Sequence, residues 1–281
     1  MGDSLKKFFS IIFAFVLICF SFYYTHLASI IIKNNDPIMQ QIKVSESYYK
    51  EESVDAELND NFIIPGISGR KVNRDKSYES MKKYGSYNDD LMVFDEVIPS
   101  ISIEKTFDKF ISKTNPNNMM VSLVFLINDY SYITEIINIL DSKMVSATFF
   151  VSTDIIDESL DVLSLIKNSN HQVEVYSKEY TDINKYKKIM KKNIGYDIKF
   201  CLVNDDNMNV LYNCGSNNMH TIFPSIITHN YPYTVIKENL ESGSIIFLNN
   251  NKMVVKELPS IINLIQQKGY KLSTLNKSIV E

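Results

Sequence analysis

The run Val121-Ser-Leu-Val-Phe-Leu-Ile127 decides the fold class of this chain. Its side chains are apolar except for one hydroxyl, which suits a strand buried on both faces, as in a parallel sheet. Apolar residues then recur at three- and four-residue spacing from Ile133 to Leu140, which predicts a helix with one buried face. A buried strand followed by an amphipathic helix is the repeating unit of a parallel α/β fold.

The same unit repeats towards the C-terminus. Strand-like and helix-like segments alternate about every 20–25 residues, and we predict a distorted parallel (β/α) barrel over residues 119–281. Pro259 is predicted to open the last long helix and Gly269 to close it. The other predicted strands are residues 147–151, 172–176, 199–203, 244–248 and 270–275.

An uncharged apolar segment stands near the N-terminus. Residues 8–32 contain no Asp, Glu, Lys or Arg. As a helix they would reach roughly 37 Å, enough to cross a hydrocarbon layer of about 30 Å. Lys6 and Lys7 precede the segment, so the positive-inside rule predicts residues 1–7 in the cytoplasm. A cleaved signal peptide is the alternative, but the long run and the poor cleavage site Leu27-Ala28-Ser29 favour an uncleaved signal anchor.

Charge and composition restrict the partners and the compartment. A formal net charge of −4 gives no electrostatic footprint for nucleic acid. Residues 33–118 are polar and weakly patterned, and we predict a stalk or linker with short docked segments. The chain is thus predicted to cross the cytoplasmic (inner) membrane once, with its domain outside, periplasmic or extracellular. Cys201 and Cys214 would lie there, and the sequence leaves open whether they pair or remain free and buried.

Several stretches together resemble the polysaccharide deacetylase superfamily, the NodB-homology group. They follow one another in the family's order over about 155 residues. The anchor and the linker island Gly66–Arg70 are similar to the divergent polysaccharide deacetylase branch. The matching stretches are Val121–Leu140, Ser146–Val151, Asn170–Tyr176, Gly243–Asn249 and Lys268–Leu275, the last of which resembles the closing Lys-Gly-Tyr-x-Phe-x-Thr-Leu motif.

The resemblance implies metal-dependent hydrolysis of N-acetyl groups, but this chain has other residues at the positions that perform it. An Asp and two His would bind the metal, a second Asp would be the base and a late His the acid. A neutral phenol is a poor metal ligand beside imidazole, and an amide cannot shuttle a proton. We therefore predict a pseudoenzyme with no bound metal. The base is replaced by Leu126, the metal-binding Asp by Ile127, the paired histidines by Tyr176 and Tyr180, and the acid by Asn249.

Other residues leave alternatives open. Asp129 lies two positions beyond the expected metal-binding Asp, although an Asp there more often caps a turn or helix. His171 matches a family position that is usually structural. His220 and His229 flank an apolar stretch and need a third ligand to hold a metal.

Three functions therefore remain. The favoured one is a deacetylase-like pseudoenzyme, held at the membrane by residues 8–32, that binds envelope glycan or an envelope protein. An atypical carbohydrate N-deacetylase with replaced ligands would require a divalent metal such as Zn²⁺. A membrane-anchored scaffold without any ligand is the third.

Overall fold

A computed structural model describes the backbone of residues 2–281 and the side chains of residues 8, 9 and 12–281. The chain forms two compact units, one of Met1–Glu52 and Gly69–Val97 and one of Ser53–Ser68 and Ile98–Glu281. The strands are β1 (Glu57–Asn59), β2 (Phe62–Ile64), β3 (Gly69–Val72), β4 (Phe94–Val97), β5 (Phe110–Ile111), β6 (Met120–Ile127), β7 (Thr148–Ser152), β8 (Gln172–Tyr176), β9 (Phe200–Leu202), β10 (His220–Ile222), β11 (Ile226–Ile227), β12 (Ile245–Asn249) and β13 (Lys271–Leu272). The helices are α1 (Gly2–Asn35), α2 (Pro37–Tyr49), α3 (Arg74–Tyr84), α4 (Ile133–Ser142), α5 (Thr153–Glu158), α6 (Asp161–Asn168), α7 (Ile183–Ile194), α8 (Met208–Ser216), α9 (Pro232–Asn239), α10 (Lys252–Gln267) and α11 (Leu275–Ser278).

The first unit contains α1 and a small folded region around α2, α3 and the antiparallel β3–β4 hairpin. Within α1, Ile12–Asn35 is long and apolar enough to cross a membrane, which fits a membrane anchor or a signal sequence. The side chains of Lys6 and Lys7, on which the predicted orientation rests, lie outside the described residues.

The second unit is an α/β barrel assembled from two sheets. One sheet has the order β11-β12-β6-β7-β8, with every pair parallel and β13 beside β6. The other has the order β1-β2-β5-β10-β9, in which only the β1–β2 pair is antiparallel. The predicted parallel α/β fold is confirmed.

The residues of β6 alternate between two apolar layers. Phe125 and Ile127 pack in the cluster that contains the helices, whereas Val124 and Leu126 pack in the inner cluster of the barrel. Successive side chains of a strand point to opposite faces of the sheet. A strand that packs against helices on one face and against the barrel core on the other must therefore be apolar on both faces. This explains why the apolar run over residues 121–127 is almost unbroken in the sequence.

The barrel begins earlier in the chain than the sequence predicted. Residues 53–68 and 98–118, predicted as part of a linker, belong to the second unit and supply β1, β2 and β5. Ile63 and Ile111 from these strands are fully buried in the inner cluster. Strands of two or three residues are too short to show a period, and partners distant in the chain hold them in place.

The start of the last long helix differs from the sequence prediction, and the structure also settles whether two of the cysteines pair. The last long helix begins at Lys252, with Asn251 as its cap, and contains Pro259 in its interior instead of beginning there. The buried residues Val254 and Leu258 hold the turns before the proline against the core. Cys201 and Cys214, whose pairing the sequence left open, form a disulfide that joins β9 to α8.

Candidate functional site

Three of the five family positions meet at the carboxyl ends of neighbouring strands. Asn249 on β12 is the register partner of Leu126 on β6, and Leu126 is in turn the partner of Phe150 on β7. Tyr176 ends β8, one strand further. Leu126, Phe150 and Tyr176 pack in the same inner cluster, and Leu126 is only 8% exposed. The end of the barrel that would hold a metal and a water is therefore occupied by apolar and aromatic side chains.

The other two family positions lie apart from this group. Ile127 is fully buried among the residues that pack under the helices, because it alternates with Leu126 along β6. Tyr180 is 91% exposed on the turn after β8. A hydrogen bond to Glu179 raises the pKa of the Tyr180 phenol, so this side chain remains neutral at pH 7. The structure thus does not bring Ile127 and Tyr180 into a common cleft.

Asp129 stabilises the loop between β6 and α4. Its Oδ1 accepts hydrogen bonds from the Ser131 backbone N–H at 2.7 Å and from the Asn250 amide at 3.1 Å. Asn250 also donates to the Asp129 carbonyl at 2.9 Å and to the Ser131 carbonyl at 3.0 Å. The loop after β6 is therefore tied to the loop after β12, and the Asp129 carboxylate is engaged as a turn cap.

The histidines are spread over different parts of the barrel. Buried His171 accepts a hydrogen bond from the Ala147 backbone N–H at 3.3 Å, and burial lowers its pKa. His220 begins β10, at the opposite end of the strands, where it stacks on Phe107 with ring centroids 4.5 Å apart. Burial lowers the pKa of His220 to about 4, so the ring is neutral at pH 7. His229 is exposed after β11.

The side chains at these positions do not fit a divalent metal. Leu126 and Ile127 carry no ligand atoms, and the phenols of Tyr176 and Tyr180 are weak ligands when neutral. Among the residues that the structure describes, no group of three or more His, Cys, Asp or Glu is placed to hold a metal ion. We therefore derive no metal-dependent step for this chain.

Comparison with known proteins shows which family model and which solved structures this chain resembles. Residues 113–201 match the family model of polysaccharide deacetylases. The structure of wild-type BA3943, a CE4 family pseudoenzyme from Bacillus anthracis, covers 88% of this chain and 96% of its own at 20% identity, with a TM-score of 0.63. A BA3943 mutant described as a CE4 family pseudoenzyme with restored enzymatic activity covers 88% and 99% at 21% identity, with a TM-score of 0.65.

A further relative has no assigned activity. The uncharacterized protein YlxY of Bacillus subtilis is 23% identical over 273 residues, which cover 88% of this chain and 85% of YlxY. Together these findings define the class of fold: residues 113–201 match the polysaccharide deacetylase model, and the α/β fold is similar to that of CE4 family proteins.

Sequence reasoning missed the most deeply buried acid of the barrel. Glu174 lies on β8 at the seam where β8 and β9 run side by side in different sheets. Its Oε2 accepts the backbone N–H groups of Lys199 at 2.9 Å and Phe200 at 3.0 Å, and its Oε1 accepts the Gln172 amide at 2.7 Å. Burial raises its pKa to about 7. Its place two residues before Tyr176 on a buried strand was the signal that it points inward.

Proposed function

We propose that this chain is a membrane-anchored, polysaccharide deacetylase-like protein of the cell envelope that does not deacetylate and acts by binding glycan or a protein partner. The observation that carries this proposal is the pairing of Leu126 with Asn249 at the carboxyl ends of β6 and β12. The family places its base and its acid at these two positions. A methyl-tipped side chain and a carboxamide cannot take those roles.

The proposed loss of catalytic rate is too large for a single neighbouring residue to restore. General acid–base catalysis contributes about 10²–10⁴-fold, and a metal ion adds the polarised carbonyl and the activated water. In this chain the base, the acid and the metal ligands are all replaced. Asp129, the nearest carboxylate in sequence, is already bonded to Ser131 and Asn250. The likeness to the fold of BA3943, a pseudoenzyme, supports the same conclusion.

Metal content tests the proposal. The full chain, purified in detergent and dialysed against Zn²⁺, Co²⁺ or Mn²⁺, is expected to retain less than a stoichiometric amount of each metal by mass spectrometry. The matched variants Asp129→Ala and His220→Ala are expected to retain the same amount as wild type. Stoichiometric metal that either variant loses would instead support the atypical deacetylase with replaced ligands.

Two features support a place outside the cytoplasmic membrane. Ile12–Asn35 is a candidate span, and the Cys201–Cys214 disulfide belongs in an oxidising compartment. We propose that the anchor stays uncleaved, with the N-terminus in the cytoplasm. The test is the mass of the chain recovered from membranes, together with protease digestion of intact cells after wall removal. An intact mass and digestion of the barrel from outside are expected, whereas a chain shortened near Ala28 would identify a signal peptide.

A further inference from the structure

A groove of about 420 Å³ opens on the outer face of β1, β2 and β5. Asn59 pairs with Phe62 and Phe62 with Phe110, so their side chains share one face of the sheet. The alternate residues Ile63 and Ile111 point into the barrel. The groove is therefore separate from the carboxyl-end positions Leu126, Tyr176 and Asn249. Its lining is Glu57, Asn59, Phe62, Ile64, Ser112, Lys113, Phe223, Pro224 and Ser225.

The floor of the groove is aromatic and firmly supported. The rings of Phe62 and Phe223 are half-buried and meet edge to face with centroids 5.4 Å apart. Both also pack on the fully buried ring of Phe110, at 5.7 and 5.8 Å. Such a floor offers apolar area without the entropic cost of ordering flexible side chains.

The rim of the groove is polar and offers both donors and acceptors. Glu57 and Asn59 project from the same face of β1, are exposed, and make no side-chain hydrogen bond to any other described residue. Across the groove, the half-buried Ser112 adds a hydroxyl. The Lys113 ammonium lies 2.6 Å from a carboxylate oxygen of Glu241, so its charge is already compensated. The groove therefore suits a ligand that has hydroxyl and amide groups around an apolar face and no net negative charge.

We propose that this groove binds a neutral oligosaccharide, so that glycan is recognised on this face and not at the carboxyl end of the barrel, where apolar and aromatic side chains fill the site. The inference rests on the proposal that the chain binds glycan without cleaving it. Sugar rings present C–H faces for the Phe62 and Phe223 rings and hydroxyls for Glu57 and Asn59. A peptide joining the sheet by strand addition would use the free edge of β1 instead of this face. The volume lies within the range of small-ligand sites.

Calorimetric titration of the full chain in detergent with N-acetylglucosamine hexamer tests the inference, with glucose hexamer as a second neutral probe. Wild type is expected to bind at least one of them. Asn59→Ala removes one rim group without touching the core, and Phe223→Leu removes an aromatic ring but keeps an apolar side chain. Each is expected to weaken binding about tenfold or more, the effect of one lost hydrogen bond or ring contact of about 1.4 kcal/mol.

Two control variants separate this groove from the rest of the surface. Tyr180→Ala lies on the turn at the carboxyl end, and Leu58→Ala lies on β1 between the two rim residues. Both are expected to bind as wild type does. Binding that Tyr180→Ala abolishes and Asn59→Ala leaves intact would overturn the inference, as would failure of both oligosaccharides to bind wild type. Neither result affects the metal test, so the proposed loss of catalysis is tested independently of this inference.

Discussion

Leu126 and Asn249 face each other across two hydrogen-bonded parallel strands, at the positions where the resemblance to polysaccharide deacetylases implies a base and an acid. Both positions are inward-facing, because they alternate with residues that pack under the helices. The backbone thus still brings the two positions together, and only the side chains have changed. The loss of catalysis that we propose would therefore concern the side chains at these positions and not the backbone that holds them.

Leu126→Asp is expected to destabilise the chain by roughly 3 kcal/mol or more at pH 7, because it places a carboxylate in an apolar cluster. The penalty is expected to shrink near pH 4, where an acid with a raised pKa is neutral. Asn249→His, at a half-buried position, is expected to cost less than about 1 kcal/mol. Urea unfolding followed by circular dichroism measures both. Equal stability of Leu126→Asp and wild type at pH 7 would show that the cluster is open to water.

Glu174 is expected to make the stability of the barrel depend on pH. Its pKa of about 7 in the folded state lies above the ordinary value of 4.5, so the contribution of this group is full below pH 4.5 and is lost as the pH rises through 7. The difference corresponds to about 3 kcal/mol, as an order of magnitude. The stability difference between wild type and Glu174→Gln, measured at pH 5 and at pH 8, isolates this group. An unchanged difference would mean that Glu174 titrates normally.

The disulfide Cys201–Cys214 closes a short loop between β9 and α8. Replacing both cysteines by Ala is expected to lower the free energy of unfolding by about 3 kcal/mol, the cost typical of a loop of about 15 residues. Cys19→Ser, on the exposed surface of α1, is the control and is expected to leave the stability unchanged. Denatured, unreduced protein should react with one equivalent of a thiol reagent. Three equivalents would contradict the pairing.

Asp129 is expected to act as a turn cap and not as a ligand. Asp129→Ala removes the acceptor for Ser131 and Asn250 and is expected to cost about 1 kcal/mol. Asp129→Asn keeps an oxygen that can accept the Ser131 N–H and is expected to recover most of that loss. Thermal unfolding with and without added Zn²⁺ measures this. A melting temperature that Zn²⁺ raises in wild type but not in Asp129→Asn would identify a ligand.

The sequence predicted β6 to β9, β12, β13 and the helices α4, α6, α7 and α10, because each of these segments has its own apolar pattern, but it did not predict α5, α8, α9, α11, β10 or β11. The strong apolar patterns around β6 and α4 are visible without tertiary information. The strands β1, β2 and β5 were missed since a pair of residues such as Phe110 and Ile111 carries no period. The first of these strands enters the sheet only through its partner β2.

The candidate site could be predicted only in part. Register along β6, β8 and β12 brings Leu126, Tyr176 and Asn249 together, as their places at the ends of predicted strands suggested. Alternation along β6 separates Ile127 from them, and the turn after β8 leaves Tyr180 in solvent. The groove beside Phe62 and Phe223 depends on a contact between residues far apart in the chain, so no local sequence pattern predicts it.

Release of acetate tests the proposed loss of catalysis most directly. The full chain in detergent is incubated with N-acetylglucosamine hexamer in the presence of Zn²⁺, Co²⁺ or Mn²⁺, and acetate is quantified against a boiled sample. We expect no acetate above that background with any of the metals. Acetate that accumulates with turnover, requires the metal and disappears in Asp129→Ala or His220→Ala would show that the chain is an enzyme with a rebuilt site.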